Sequence, residues 1–89
     1  MDPRRLQAFV AVARLGNFGR AADELHLTQS ALSQQVRKLE LEVGVALLDR
    51  TSRGTELTAA GADLLPRAEA ILAQLAEARS RMDEYAGVE

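Results

Sequence analysis

The first fifteen positions of the chain carry apolar residues at helical spacing. Those on one face are Leu6, Phe9, Val10 and Ala13. Asp2 can cap free N–H groups at the start of a helix, and Pro3 suits a first turn because no N–H is needed there. Since the pattern ends at Gly16, we predict a first helix over about residues 3–15.

Two more helical segments follow, joined by only about three residues. Asn17 can cap a short second helix. Thr28 can cap a third, which runs from about residue 29 to 43 and ends at Gly44. The core side of the third helix consists of Leu32, Val36, Leu39 and Val43. Its opposite side has no carboxylate among four polar residues, which are Ser30, Ser33, Gln34 and Arg37.

Beyond Gly44 the pattern changes to two short strand candidates at residues 46–50 and 55–57, around a turn that places Arg53 at its tip. From a cap at Thr58 the chain is Ala-rich and helical to about residue 86, with a slight bend expected near Pro66. Two helices joined by a short turn, followed by a hairpin, make a winged helix-turn-helix. We therefore predict a mainly α fold, with a winged domain at 1–57 and a long linker helix at 58–89.

Apolar residues recur along the last helix in steps of four and three, which is the spacing of a coiled-coil seam. They are Leu64, Ala68, Ile71, Leu75, Ala78, Met82 and Tyr85. At about 1.5 Å per residue this helix is about 43 Å long, too long for the three short helices to cover. The seam predicts a homodimer through the linker helix.

Composition narrows the chemistry that the chain can perform. Its 89 residues include no Cys and one His, so disulfides, cysteine nucleophiles and thiolate metal sites are absent. His26 has no companion ligand, and we interpret it as a residue that packs in a turn. A chain this short is not expected to form a deep catalytic cleft. We predict no enzyme activity, no metal and no cofactor.

The apolar runs are shorter than the roughly 18 residues of a membrane-spanning helix, and the first residues lack a signal-peptide pattern. We expect a soluble, cytoplasmic protein without a membrane partner. The net charge is −2, from 11 basic and 13 acidic residues. It divides into +1 over residues 1–57 (8 basic, 7 acidic) and −3 over 58–89 (3 basic, 6 acidic). DNA binding therefore depends on whether basic groups cluster on one face.

Several strings over about residues 4–65 resemble LysR-type transcriptional regulators. The first strings are Leu6-x-x-Phe9-x-x-Val12 and Gly16-Asn17-Phe18-Gly19-Arg20-Ala21-Ala22-x-x-Leu25. The next is Gln29-Ser30-Ala31-Leu32-Ser33-Gln34-Gln35-Val36-x-x-Leu39-Glu40-x-x-Val43-Gly44. The last are Leu47-Leu48-x-Arg50 and Leu57-Thr58-x-Ala60-Gly61. The chain departs from the family pattern at Val43, at Leu48, and near Asn17 and Gly19, where Ser or Thr is common.

The resemblance implies a recognition helix at about 29–43 in the major groove and a dimer through the linker helix, with antiparallel pairing favoured. Family members are longer and carry an effector-sensing domain, which this chain lacks. The implied base-reading residues are Gln29, Ser30, Ser33, Gln34 and Arg37. Those implied at the wing or at phosphates are Thr28, Arg50 and Arg53. The Gln29 amide can pair with adenine N6 and N7.

Arg53, at the wing tip, can enter a narrow minor groove or bind phosphate. Two roles stay open for Arg50: pairing with Glu40 to fix the wing, or binding phosphate. Three more residues are candidate phosphate contacts, although such residues are more often solvated charges: Arg4, Arg5 and Arg20.

Two functions fit the pattern. The leading one is sequence-specific binding of double-stranded DNA by the DNA-binding domain of a bacterial regulator. The alternative is a coiled-coil interaction module in which the long helix is the active surface, favoured by the seam and the negative net charge.

Overall fold

The computed structural model describes residues 1–87 and contains four helices and one two-stranded antiparallel sheet. In chain order the elements are α1 (Pro3–Leu15), α2 (Phe18–Glu24), α3 (Gln29–Val43), β1 (Leu48–Thr51), β2 (Gly54–Leu57) and α4 (Ala59–Ala86). Within the described part of the chain, no helix is both long and apolar enough to cross a membrane.

Every helix begins at the capping residue that the sequence predicts. The caps are Asp2, Asn17, Thr28 and Thr58, and each side-chain oxygen accepts a backbone N–H from the first turn. Gly16 and Gly44 end α1 and α3 in the left-handed conformation, at φ values of 65° and 78°. The predicted bounds of α1, α3 and α4 are confirmed.

The core lies on both sides of α1. On one side α1 packs against α2 and α3, and the buried residues there include Val12, Phe18, Leu32 and Val36. On the other side it packs against the end of α3, the start of the wing and α4, and the buried residues there are Leu6, Phe9, Val10, Leu39, Leu47 and Ala68. Burial of this side of α3 leaves its opposite side facing outward.

The wing is a hairpin in which Leu48 pairs with Leu57 and Thr51 with Gly54. Its turn contains Arg53, as predicted. The first strand begins two residues later than the predicted 46–50. Leu47 still lies opposite Thr58, and its carbonyl accepts the Thr58 N–H, but its own N–H donates to Glu40 instead of to the opposite strand.

The first turns of α4 belong to the folded domain, which corrects the prediction of one uncovered seam. Ala68 is fully buried in the core, and Leu64 is half-buried beside it. The helix then extends past the domain, since every residue from 73 to 87 is exposed. The described chain is 55 Å long but only 25 and 19 Å across. Seam residues beyond Ala68 stay exposed because α1 covers only the beginning of α4.

Candidate nucleic-acid interface

The outer side of α3 presents the predicted base-reading residues together. Gln29, Ser30, Gln34 and Arg37 are exposed, and Ser33 is half-buried. The helix cannot rotate these side chains inward, because the side chains of Leu32 and Leu39 are fully buried beneath them. The result is a rigid helix whose N-terminal half offers hydrogen-bond donors and acceptors to the outside.

The basic residues of the winged domain divide into paired and unpaired groups. Three of the eight form ion pairs: Arg4 with Asp2 at 2.9 Å, Arg5 with Glu42 at 3.3 Å, and Arg14 with Glu69 at 2.7 Å. The other five form no ion pair with the described carboxylates, and they are Arg20, Arg37, Lys38, Arg50 and Arg53. The paired cations lie on α1, whereas the unpaired ones lie on α2, α3 and the wing. Cationic groups are therefore unneutralised around α3 although the whole chain is negative.

Arg4 and Arg5 each form an ion pair with a carboxylate in this arrangement. The side chain of Arg4 hydrogen-bonds to Asp2 and lowers the pKa of that carboxyl to about 2. The N-terminal ammonium, with Arg5 as a second partner, lowers the pKa of Glu42. Both carboxylates are thus charged at neutral pH, and their negative charges offset the two guanidinium groups.

Arg50 does not pair with Glu40, so that prediction is wrong. Its guanidinium carbon lies 4.0 Å from the centroid of the Phe18 ring, and Nη2 donates to Ser33 Oγ at 3.4 Å. Glu40 instead accepts the backbone N–H groups of Leu47 and Leu48 at 2.8 and 3.2 Å. Those two N–H groups lie just where the wing begins and need an acceptor, so they take the carboxylate that Arg50 was expected to bind.

Contacts among Phe18, Ser33 and Arg50 connect α2, α3 and the wing. A cation over an aromatic face contributes about 0.5–1 kcal/mol at an exposed site. The remaining N–H groups of the guanidinium can still donate outward, because an arginine carries five such donors. Arg50 therefore holds the base of the wing against α3 and keeps further N–H donors.

Arg53 lies in the turn of the wing and is exposed. Its backbone N–H donates to Thr51 Oγ1 at 3.2 Å, and the Thr51 hydroxyl donates to the Gly54 carbonyl at 3.2 Å. Gly54 has a φ of 117°, a conformation that favours glycine. These contacts order the tight turn and point the hairpin, with Arg53 at its end, away from the core.

The turn before α3 contains two polar residues with different roles. The Thr28 hydroxyl accepts the N–H of Ala31 at 3.0 Å, which leaves its own proton free to donate to a phosphate. His26 occupies the left-handed region at a φ of 57° and is exposed. Its place in a turn is confirmed, but its predicted packing role is wrong. No cluster of metal-ligating side chains occurs among residues 1–87.

Sequence reasoning missed two contributors to this surface, Lys38 and Phe18, and gave a third, Glu40, the wrong partner. Lys38 adds an unpaired cation beside Arg37, and helical spacing from Gln34 could have found it. Phe18 supports Arg50, and Glu40 anchors the wing. Phe18 and Glu40 occur in the sequence strings that resemble LysR-type regulators. However, no spacing rule identifies their partners, which are distant along the chain.

The exposed part of the α4 seam forms an apolar stripe that continues beyond the winged domain. Its members are Ile71, Leu75, Ala78, Met82 and Tyr85. Ile71 and Leu75 are 42% and 46% exposed, and they line a shallow apolar depression with Ala70, Gln74 and Ala78. Nothing else in the described chain covers this stripe.

The fold is a winged helix-turn-helix, and its third helix and wing present hydrogen-bonding and unpaired cationic side chains on one side. This combination is typical of DNA-binding domains. The chain belongs to the lysR family of bacterial regulatory helix-turn-helix proteins, whose family model matches residues 3–62. The predicted family, fold and DNA-binding class of function are confirmed, and the interaction-module alternative is not favoured.

Individual relatives agree with this assignment. The chain is 45% identical to the HTH-type transcriptional regulator TfdT of Cupriavidus pinatubonensis over 86 residues. This alignment covers 97% of this chain but only 37% of TfdT. It is similar to the BenM DNA-binding domain in complex with catB site 1 DNA, with a TM-score of 0.92, 35% identity and full coverage of both chains. The CbnR DNA-binding domain in complex with DNA gives a TM-score of 0.87 and 42% identity, over 97% of this chain and 99% of that one.

Proposed function

We propose that this chain binds specific double-stranded DNA sequences, with the N-terminal half of α3 in the major groove and the wing against the adjacent backbone. The observation that carries the proposal is the surface around α3, where exposed amide and hydroxyl groups stand among unpaired cations. Similar domains, those of BenM and CbnR, are described in complex with DNA. The relatives are named as transcriptional regulators, not enzymes.

Base recognition rests on the outer side of α3. Gln29 is in the first turn, the part of a recognition helix that reaches base edges. The proposed reading set is Gln29, Ser30, Ser33, Gln34 and Arg37. An amide presents one donor and one acceptor in a plane, which matches N7 and N6 of adenine, while a guanidinium matches O6 and N7 of guanine.

Phosphate contacts fix the position of the reading helix. We assign them to Thr28, Arg50 and Arg53, with Arg53 also able to enter the minor groove. Arg20 and Lys38 add unpaired charge at the sides of the same surface. Because these groups are few and the net charge is −2, long-range attraction to DNA is weak, and affinity comes from local contacts.

A second copy of the chain is the proposed partner of the apolar stripe on α4. Pairing two copies along this stripe removes it from water and sets the separation of two recognition helices. Successive major grooves on one side of DNA lie about 34–36 Å apart, which sets the separation that the dimer has to provide. In this proposal residues 1–57 read DNA and residues 58–89 join the copies, although the first turns of α4 also complete the core.

Sequencing the bound fraction from a pool of random duplexes tests the proposed function. A preferred motif with two half-sites supports it. Equal recovery of all sequences, or no binding at moderate salt, would refute sequence-specific recognition by this chain.

We expect Gln29→Ala to relax base preference at one position of each half-site. Loss of one bidentate contact costs about 1–3 kcal/mol of discrimination against the wrong base. Binding isotherms on duplexes that carry each of the four bases at that position measure the effect. Equal losses of affinity on specific and random duplexes would remove Gln29 from the reading set.

Arg53→Ala should weaken binding to all sequences to a similar degree. If Arg53 neutralises one phosphate, the slope of log affinity against log salt falls in magnitude by about 0.9. Titrations at several salt concentrations give this slope. Arg81→Ala is the matched control, since it removes the same charge from an exposed residue in the distal part of α4. Equal slopes for Arg53→Ala and the parent chain would exclude the phosphate contact.

A further inference from the structure

A polar crevice opens beside the start of α3, between the first turn of α2 and the wing. It has a volume of about 350 Å³, and its lining includes Asn17, Gly19, Gln29, Arg50 and Thr55. Two of these residues, Gln29 and Arg50, belong to the proposed DNA interface. The crevice is therefore next to the DNA, and its walls can influence the side chains that read it.

Gly19 forms the wall of this crevice next to Gln29. A Cβ atom added at Gly19 would lie 3.7 Å from Gln29 Oε1, which is ordinary contact, and 3.2 Å from Asn17 Oδ1. Gly19 lies inside α2 and does not have the positive φ that excludes other residues. Alanine and serine can therefore adopt this backbone conformation, provided that the Asn17 amide, which caps α2, shifts by a few tenths of an ångström.

The consequence concerns the orientation of the Gln29 amide. Gln29 is exposed, and a Cβ at position 19 would touch its Oε1, but glycine places no side chain there. The terminal torsion of glutamine is broad, so an amide without a lateral partner can turn either its oxygen or its nitrogen toward a base. Different bases in the major groove accept these two orientations.

We infer that position 19 determines specificity by acting through Gln29: glycine leaves the reading amide free to turn, and a hydroxyl-bearing residue would fix it. This inference rests on the proposed role of Gln29 in base reading. The acceptors nearest to the Cβ of a serine at position 19 are Asn17 Oδ1 at 3.2 Å and Gln29 Oε1 at 3.7 Å, and donation to Oε1 would fix the amide. One net hydrogen bond is worth about 0.5–1.5 kcal/mol, enough to favour one amide orientation about two- to tenfold.

A simpler role for a hydroxyl at position 19 makes a different prediction. If it only contacted a DNA phosphate, affinity would rise for every sequence by the same factor, because phosphate contacts carry no base information. If it bonded to Asn17 instead, only the stability of α2 would change. An effect that is confined to the base read by Gln29 separates the inference from both.

The experiment compares Gly19→Ser, Gly19→Ala and Gln29→Ala with the parent chain, and adds the double variant Gly19→Ser/Gln29→Ala. Each is incubated with a random duplex pool, and the bound fraction is sequenced at one salt concentration. Thermal unfolding by circular dichroism confirms that each variant is folded. Gly19→Thr supplies the same hydroxyl if Gly19→Ser does not fold.

Gly19→Ser should raise the ratio of the best to the second-best base about two- to tenfold, at the position that Gln29→Ala relaxes. Gly19→Ala, which adds a contact but no donor, should give a smaller change. In the double variant the effect should vanish. Unchanged ratios, a uniform change of affinity, or an effect that persists without Gln29 would overturn the inference. If Gln29→Ala itself changes no base preference, the proposed reading role fails, and the inference fails with it.

Discussion

Gly61→Ala should destabilise the domain by about 3 kcal/mol or more, although alanine is normally the better helix former. A Cβ atom at Gly61 would overlap the backbone carbonyl of Leu47 and approach Leu57 Cδ2 to 3.1 Å. This carbonyl cannot move aside, because it accepts the N–H of Thr58 at 3.0 Å and because Leu47 is buried in the core, with only 2% of its surface exposed. The clash therefore outweighs the gain of about 1 kcal/mol in helix propensity.

Thermal unfolding at a fixed protomer concentration measures this loss, and we expect the midpoint to fall by about 12 °C or more. Gly19→Ala is the matched control, since it makes the same substitution in a helix without a backbone clash. Its midpoint should fall far less, because the added Cβ meets side-chain atoms and no backbone, the nearest being Asn17 Oδ1 at 3.2 Å. Equal midpoints for Gly61→Ala and the parent chain would show that the close approach of α4 to Leu47 is not a constraint on folding.

Leu75→Glu should convert the proposed dimer to monomers and weaken binding to a two-half-site duplex by about 10²–10⁴-fold. Leu75 is central in the exposed stripe, and a carboxylate there would have to be buried without a partner on pairing. The loss of affinity follows because the second half-site is no longer bound intramolecularly. Binding to a single half-site should be nearly unchanged.

Analytical ultracentrifugation and binding isotherms on one- and two-half-site duplexes test this expectation. Ala73→Glu is the matched control, because it introduces the same charge at an exposed position on the opposite side of α4. It should stay dimeric. Circular dichroism should show the winged domain folded in both variants. If Leu75→Glu stays dimeric and binds as before, the copies associate through another surface.

Local signals in the sequence were sufficient for the helices and for the wing turn. Helix caps act within a few residues along the chain, so their partners can be predicted from the sequence. Examples are the N-caps Asn17 and Thr28 and the C-cap Gly44. The contacts of Arg50 and Glu40 could not be predicted in this way. Their partners lie 7 to 32 residues away along the chain, and the two backbone N–H groups at the start of the wing bind the Glu40 carboxylate.

The seam on α4 shows a second limit of sequence patterns. The heptad spacing correctly marks an apolar stripe from Leu64 to Tyr85, but spacing alone does not say what covers each member. Ala68 is covered by this chain's own α1, whereas Leu75 is left exposed. Only the packing of α4 on the domain shows where intrachain cover ends.

α4 is one unbroken helix from Ala59 to Ala86, so it rigidly connects the surface around α3 with the apolar stripe on α4 that is proposed to join two copies. The first turns of this helix are held on the domain by Ala68, which packs in the core, and by the ion pair between Arg14 and Glu69. One residue inserted past Leu72 would turn the stripe by about 100° relative to α3. A seven-residue insertion would nearly restore the angular position of the stripe while lengthening the helix by about 10 Å. In the proposed dimer, the spacing of the DNA half-sites therefore depends on the length and angular phase of α4, far from the residues proposed to contact bases.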